Sequence, residues 1–152
     1  MSALRTIFRY WLWLFLALIV VQIAFAGFGA FDTVDNAAAG PVDENSVDDS
    51  WGLHIGFGYL VLLGSLLTLI LALIARVGRQ RVLQAVGIFV LVVVQVLLAW
   101  FGSEVPAIGA LHPLNAFLIL GAAGALTVRE WRGERMTSAA AAPVAPPPSA
   151  AA

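Results

Sequence analysis

Apolar residues dominate four long stretches of the chain, each bounded by charged or turn-forming residues. The stretches cover residues 10–30, 52–75, 82–102 and 107–128, and none of them contains Asp, Glu, Lys or Arg. A helix needs about 20 mostly apolar residues to cross the hydrocarbon core of a bilayer. The pattern therefore predicts four transmembrane helices.

The last three stretches are joined by short segments. Residues 76–81 include three arginines, and residues 103–106 end in Pro106, a residue suited to the first turn of a helix. Short connections place consecutive helices side by side and antiparallel. We therefore expect an all-α fold, an antiparallel four-helix transmembrane bundle within residues 1–135.

Two segments are expected to lie outside the bundle. Residues 31–51 are polar, acidic and rich in Gly, Pro, Asn and Ala, which favours a solvated outer loop. Residues 136–152 are mostly Ala and Pro, a composition typical of a disordered tail.

Composition agrees with a membrane protein and excludes several other classes. Hydrophobic residues make up 61% of the chain and charged residues 11%, against about 45–50% and about 25% in soluble domains. The net charge of −1 offers no general basic surface for nucleic acid. The absence of cysteine excludes disulfides, iron–sulfur clusters and thiolate zinc sites.

Charge asymmetry predicts the orientation of the bundle. All eight basic residues are arginines, and in a four-span topology all of them fall on one side of the membrane: Arg5, Arg9, Arg76, Arg79, Arg81, Arg129, Arg132 and Arg135. Seven of the nine acidic residues fall on the other side. The positive-inside rule then predicts a multi-pass protein of the bacterial inner membrane with both termini in the cytoplasm.

The first apolar stretch has a second interpretation. It follows two arginines and ends in Ala24-Phe25-Ala26, the small-x-small form of a signal-peptidase site. Its length of about 20 residues is closer to a membrane span than to the apolar region of a signal peptide. We therefore expect it to be retained, and an intact-mass measurement distinguishes the two forms.

Polar residues inside membrane spans are costly and mark candidate sites. Both histidines, His54 and His112, lie near the outer starts of the second and fourth spans. The helix from His54 to the inner arginine Arg76 is about 33 Å long, and that from His112 to Arg129 is about 26 Å long. The two histidines are therefore expected to differ in depth by about 7 Å. The second span also carries a stripe of small and mildly polar residues below His54: Gly58, Val61, Ser65, Thr68 and Ala72.

The histidine pair alone leaves three interpretations open. The two imidazoles could be axial ligands of one haem iron, because bundle interiors commonly hold such cofactors. They could instead form an outer-face metal or proton-sensing site with Glu104 or Asp49, since two histidines and a carboxylate can hold zinc, copper or non-haem iron. Finally, both could be interfacial residues bonded to loop backbone or water.

From Trp51 onward, the order of features resembles one four-helix half of haem A synthase. The matching positions are His54, the arginine-rich turn 76–81, Gln95 in mid-membrane, Gly102, and His112 within Leu111-His112-Pro113-Leu114-Asn115. The chain also resembles an uncharacterised group of small four-span bacterial membrane proteins with the same Leu-His-Pro-Leu-Asn motif.

The resemblance implies that His54 and His112 are the axial iron ligands of a haem b. On this hypothesis Gln95 and Asn115 are supporting hydrogen-bond donors, while Gly58 and Gly102 leave room for the macrocycle. The enzyme has a carboxylate where this chain has Trp51, and usually an arginine where it has Ile55. Paired loop cysteines and the second bundle are also absent, so the resemblance does not extend to the enzyme's oxidation chemistry.

The resulting expectation is a haem b-binding bundle that serves in electron transfer, in haem handling or as a subunit of a larger membrane complex, with no residue assigned a catalytic role. Its expected partners are the lipid bilayer and either such a complex or further copies of the chain. A cofactor-free accessory or assembly subunit is the first alternative. The outer-face metal or proton-sensing site is the second.

Overall fold

The computed structural model describes residues 3–140, with side chains described for residues 3–133. In this part of the chain the fold is entirely helical. Its elements are α1 (Ala3–Ala39), α2 (Glu44–Ile74), α3 (Arg79–Glu104), the single turn α4 (Pro106–Gly109) and α5 (Leu111–Ala140). Four segments are long and apolar enough to cross a membrane: α1, α2, α3 and the combined segment Pro106–Gly133. The expected all-α bundle with four candidate spans is confirmed.

The four long helices form a ring in which each helix packs against two neighbours. The packed pairs are α1 with α2, α2 with α3, α3 with α5, and α5 with α1. Helices α2 and α5 are therefore diagonal partners, as are α1 and α3. Each neighbour pair is antiparallel, because the chain reverses direction between consecutive long helices and the start of α1 meets the later part of α5.

The apolar core fills the half of the bundle nearer the arginines. Helix α1 contributes large side chains at helical spacing, and the other helices meet them with smaller residues. The fully or nearly fully buried members include Phe8, Leu12, Phe15, Ile19, Ala72, Ala85, Ile88, Ala123 and Leu126. The expected small-residue stripe of α2 is buried from Val61 to Ala72, and Gly64 lets the Phe15 ring approach to 3.0 Å of where a Cβ would stand.

The acidic segment 31–51 is mostly helical, which corrects the expected loop. Helix α1 continues to Ala39 and α2 begins at Glu44, so only residues 40–43 connect them. Polar side chains tie the two helix ends together: the Ser50 hydroxyl donates to Asp32 at 2.6 Å and the Asn36 amide donates to Ser50 at 3.1 Å. These bonds supply partners that water would otherwise provide, so the acidic composition does not prevent helix formation.

Asp43 caps the N-terminus of α2. Its carboxylate accepts hydrogen bonds from the Ser46 backbone N–H at 2.9 Å and from the Ser46 hydroxyl at 2.6 Å. These bonds favour the charged carboxylate, so the Ser46 side chain and backbone lower the pKa of Asp43. The acidic cap also suits the positive end of the helix dipole.

The arginine-rich turn between α2 and α3 is as tight as expected. The Val77 N–H bonds to the Ala72 carbonyl and the Arg76 N–H to the Leu73 carbonyl, which together form a Schellman motif that closes α2. Arg76 occupies the left-handed position of this motif with φ 49°, and Gly78 follows with φ 98°. Two left-handed residues within three positions reverse the chain over this short distance.

The fourth apolar stretch is not one uninterrupted helix. A turn at Ala110 separates α4 from α5, and α4 packs against α3 by direct backbone contact between two glycines. A Cβ on Gly102 would lie 2.6 Å from the Gly109 Cα. At its other end α5 continues through residues 136–140, which the composition assigned to the disordered tail. Residues 141–152 of that tail lie outside the described residues.

Candidate functional site

A cavity of about 670 Å³ occupies the half of the bundle that is remote from the arginines, next to the apolar core. All four long helices contribute to its wall. Three nearly fully buried residues, Val61, Val92 and Ile119, line the cavity and also belong to the core, so they form its floor. The side chains thus fill the arginine half of the bundle and leave a cavity in the other half.

The two histidines face each other across this cavity. His54 is carried by α2 and His112 by the first turn of α5, which are diagonal helices without direct packing between their described parts. Their ring centroids are 6.0 Å apart and their planes are inclined by 64°. Counting residues to the arginines predicts a difference in depth of about 7 Å between the two histidines. That count takes Arg129 as the end of the span, but α5 stays helical beyond it. The count therefore does not give the separation of the two rings.

Each imidazole is held through Nδ1 by a backbone carbonyl of the preceding long helix. His54 Nδ1 lies 3.2 Å from the Gln22 carbonyl oxygen, and His112 Nδ1 lies 3.1 Å from the Gln95 carbonyl oxygen. A carbonyl can only accept, so these two contacts favour a proton on Nδ1 and a free lone pair on Nε2. The Gln22 side-chain amide nitrogen also lies 3.2 Å from His54 Nδ1. Metal-binding histidines are typically oriented by such a bond to a carbonyl.

Side-chain amides stabilise both pairs of helices that carry these histidine–carbonyl contacts. The Gln22 amide donates to the His54 carbonyl oxygen at 2.9 Å, and its nitrogen lies 3.4 Å from His54 Nε2. The Asn115 amide donates to the Gln95 side-chain oxygen at 2.7 Å and to the Leu91 carbonyl at 2.9 Å. Gln22 Oε1 is buried without a hydrogen-bond partner among the described groups, so one acceptor of the site is unused.

Trp51 packs against the His54 ring, one helical turn before it on α2. The indole lies edge-on to the imidazole, with centroids 5.6 Å apart and planes at 87°. Its Nε1 donates to the Thr33 hydroxyl at 3.1 Å. The absence of a side chain at Gly29 makes room for it, since a Cβ there would lie 3.0 Å from the indole.

The structure brings most of the sequence-derived candidates together. His54, His112, Gln95 and Gly58 all line the cavity, and Asn115 lies behind Gln95, where it is 6% exposed. Gly102 does not line the cavity. Its missing side chain instead permits the close backbone contact with Gly109.

The alternative metal site with Glu104 or Asp49 is not assembled. Within residues 3–133, no group of three or more His, Cys, Asp or Glu side chains is placed to hold a metal ion. Both carboxylates are exposed at the outer ends of their helices, where hydration stabilises them better than the apolar cavity would.

A second polar cluster, at the arginine end of the bundle, was not anticipated from the sequence. Glu130 on α5 is fully buried and receives Arg5 Nε at 2.7 Å and Arg9 Nε at 3.3 Å on its Oε1. Arg81 Nε approaches its Oε2 at 2.7 Å, an ion pair whose N–H does not point along the contact. The only available signal was an acid within the arginine-rich inner side of the topology.

Gln22 was also missed as a partner of His54. In the sequence it is one polar residue in an apolar span, which does not indicate which neighbouring helix it contacts. Its contact with His54 depends on how α1 and α2 pack.

Together these features define a class: a small four-span membrane protein with a histidine-lined cavity in one half of its bundle. Residues 22–103, which are 82 of the 152 residues, match DUF6220, a family of unknown function. The chain belongs to this family. The matched range includes Gln22, His54 and Gln95 and ends before His112. Neither the curated proteins nor the solved structures contain a match to the chain.

Proposed function

We propose that the protein is a haem b-binding membrane bundle, with His54 and His112 as the two axial iron ligands. The observation that carries this proposal is the pair of imidazoles that face each other in the cavity, each with a backbone carbonyl beside Nδ1, an arrangement that favours Nε2 as the ligating atom. Neutral imidazole in this tautomer is the form that binds iron.

The separation of the rings is compatible with one metal ion between them. Two metal–nitrogen bonds of about 2 Å, plus about 1 Å from each nitrogen to its ring centre, give a centroid distance of about 6 Å. The observed distance is 6.0 Å. The cavity of about 670 Å³ falls within the range of about 300–1,000 Å³ typical of cofactor pockets.

The lining also suits a flat, largely apolar group. Small residues line it on each helix: Ala26 on α1, Gly58 on α2, Ala99 on α3 and Ala116 on α5. None of the lining residues is charged, so the carboxylates of a haem belong in the outer water. Bound haem would supply a one-electron carrier, which supports a role in electron transfer, in haem handling or as a subunit of a larger complex.

We place the protein in the bacterial inner membrane with both termini in the cytoplasm. The support is the distribution of charge: all eight arginines fall at one end of the four spans. In this orientation the cavity opens in the outer half of the bilayer.

The test is the visible spectrum of the full-length protein expressed with ample haem and reduced with dithionite. We expect a low-spin bis-histidine spectrum that is lost or converted to a different coordination state in His54→Ala and His112→Ala. A colourless wild-type protein overturns the proposal and favours a cofactor-free accessory subunit. An unchanged spectrum in either histidine variant also overturns it.

A matched pair on α5 controls for general effects of substitution. Ala116 lines the cavity, whereas Ala125 is exposed on the same helix. We expect Ala116→Leu to reduce haem occupancy severalfold, because the added side chain fills the cavity, and Ala125→Leu to leave it unchanged. Equal occupancy in the two variants would show that any bound haem lies elsewhere.

A further inference from the structure

A second cavity, of about 400 Å³, lies at the arginine end of the bundle on the seam between α1 and α5. It is lined by Trp13, Val128, Trp131 and Arg132. This position is remote from the histidine cavity and independent of its function. Its lining combines two indoles with one guanidinium at the level where the spans end.

The lining is amphipathic in the order expected at a membrane interface. Val128 ends the apolar stretch of α5, and Arg132 follows one helical turn later on the same face. Trp13 is 55% exposed and lies beside the apolar part of the seam. Tryptophan side chains favour the headgroup level of a bilayer, and arginines there attract anionic lipids.

Trp131 contributes an unused hydrogen-bond donor. Its ring is fixed edge-on against Tyr10 at 6.0 Å, with the Arg9 guanidinium 5.8 Å from the ring centroid. Its Nε1 is buried and has no acceptor among the described groups. A buried donor without an acceptor is costly, and the indole that carries it lines the cavity, so a ligand oxygen that reaches Nε1 would remove an existing penalty.

The charge at this end selects an anionic ligand. The inner side carries eight arginines and two acids, Glu130 and Glu134, which is an excess of six positive charges (8 − 2). The Glu130 carboxylate is already occupied by Arg5, Arg9 and Arg81. It therefore does not neutralise Arg132, which is exposed at the mouth of the cavity.

We propose that this cavity binds the headgroup of one anionic phospholipid of the inner leaflet. The phosphate pairs with Arg132, a phosphate or ester oxygen accepts from the Trp131 N–H, and the glycerol and upper acyl region lie against Trp13 and Val128. The ligand is a phosphodiester whose charge pairs with Arg132 and whose apolar part contacts Trp13 and Val128. A free anion makes only the first of these contacts.

The test is native mass spectrometry of the full-length protein in mild detergent, titrated with phosphatidylglycerol or with phosphatidylcholine of the same acyl chains. We expect one saturable phosphatidylglycerol adduct and weaker binding of phosphatidylcholine. Arg132→Gln should weaken phosphatidylglycerol binding about fivefold. Arg79→Gln, which removes an exposed arginine outside the cavity lining, should leave it unchanged.

A second variant, Trp131→Phe, separates binding from folding. It keeps an aromatic ring at this position but removes the N–H, so the lipid-free protein should still fold while lipid binding weakens. Equal affinity for the two lipids, or equal losses in Arg132→Gln and Arg79→Gln, would overturn the proposal. Competition by millimolar inorganic phosphate would also overturn it, because the site would then belong to a soluble anion.

Discussion

At the scale of single residues, one carboxylate joins three of the four long helices at the arginine end. Glu130 on α5 pairs with Arg5 and Arg9 on α1 and with Arg81 on α3. The four side chains differ in exposure: Glu130 and Arg9 are 0% and 3% exposed, whereas Arg5 and Arg81 keep about a third of theirs or less. Glu130 and Arg9 therefore have little access to water, whereas Arg5 and Arg81 are partly hydrated.

We predict that Glu130→Gln destabilises the bundle by about 3 kcal/mol, because it removes the negative charge that three arginines share at a fully buried position. Unfolding of the detergent-solubilised protein by increasing SDS, followed by circular dichroism, measures the change. Glu104→Gln is the control, since Glu104 is exposed at the end of α3. Equal midpoints for the two variants would contradict the assigned role of Glu130.

Individual site residues could be found from sequence, but their contacts could not. His54, His112, Gln95 and Asn115 are recognisable because a polar group within an apolar span needs a reason to be there. Which carbonyl each imidazole meets depends on the rotation of α1 against α2 and of α3 against α5. Local sequence does not encode that rotation, and the partnership of Gln22 with His54 was missed for this reason.

At the scale of elements, the corner formed by α3, α4 and α5 depends on two glycines. Gly102 and Gly109 pack backbone against backbone, and this contact sets where α5 begins. Because His112 lies in the first turn of α5, the same contact fixes the position of one candidate ligand. The role of Gly102 is thus structural, although it acts within a few residues of the site.

We predict that Gly102→Ala lowers stability by about 1–3 kcal/mol, since its Cβ would lie 2.6 Å from backbone that cannot yield as a side chain can. Gly87→Ala on the same helix is the matched control, because a Cβ there meets nothing within 4 Å. Helix propensity alone favours alanine at both positions. Thermal unfolding distinguishes the two effects, and equal shifts in both variants would refute the backbone clash.

The ends of the helices could be predicted where the length of an apolar stretch determines them. They could not be predicted where contacts between helices determine them. The four spans and the tight turn at 76–81 follow from the positions of charged residues. The helical continuation through 31–39 and from 44 onward does not, because it depends on hydrogen bonds between α1 and α2, such as that from Ser50 to Asp32. The break at Ala110 likewise results from packing of α4 on α3.

At the scale of the whole molecule, the chain divides into two antiparallel hairpins with corresponding polar pairs. The hairpin of α1 and α2 carries Gln22 and His54, and the hairpin of α3 and α5 carries Gln95 and His112. In both pairs the glutamine backbone carbonyl holds the imidazole of the following long helix. Each hairpin therefore contributes one oriented imidazole to the shared cavity.

We predict that this assembly has its arginine end in the cytoplasm. The chain lacks cysteine, so single cysteines introduced at the exposed positions Ala38 and Gln80 report on the two ends. In intact spheroplasts, a membrane-impermeant maleimide should label Ala38→Cys, and it should label Gln80→Cys only after permeabilisation. The reverse pattern would overturn the orientation, and labelling of both would show a mixed topology.

The half of the bundle that holds the cavity has fewer packed side chains to resist helix tilt than the arginine half, where the core lies. About 25 Å of α2 separates His54 from Leu71 in the packed region, so a helix tilt of roughly 2° about that region moves the imidazole by about 1 Å. Tilting of α2 about its packed region therefore displaces the end that carries His54 more than the end near Leu71. A change in bilayer thickness or lateral pressure, which alters helix tilt, would be converted into a change in the gap between the two imidazoles.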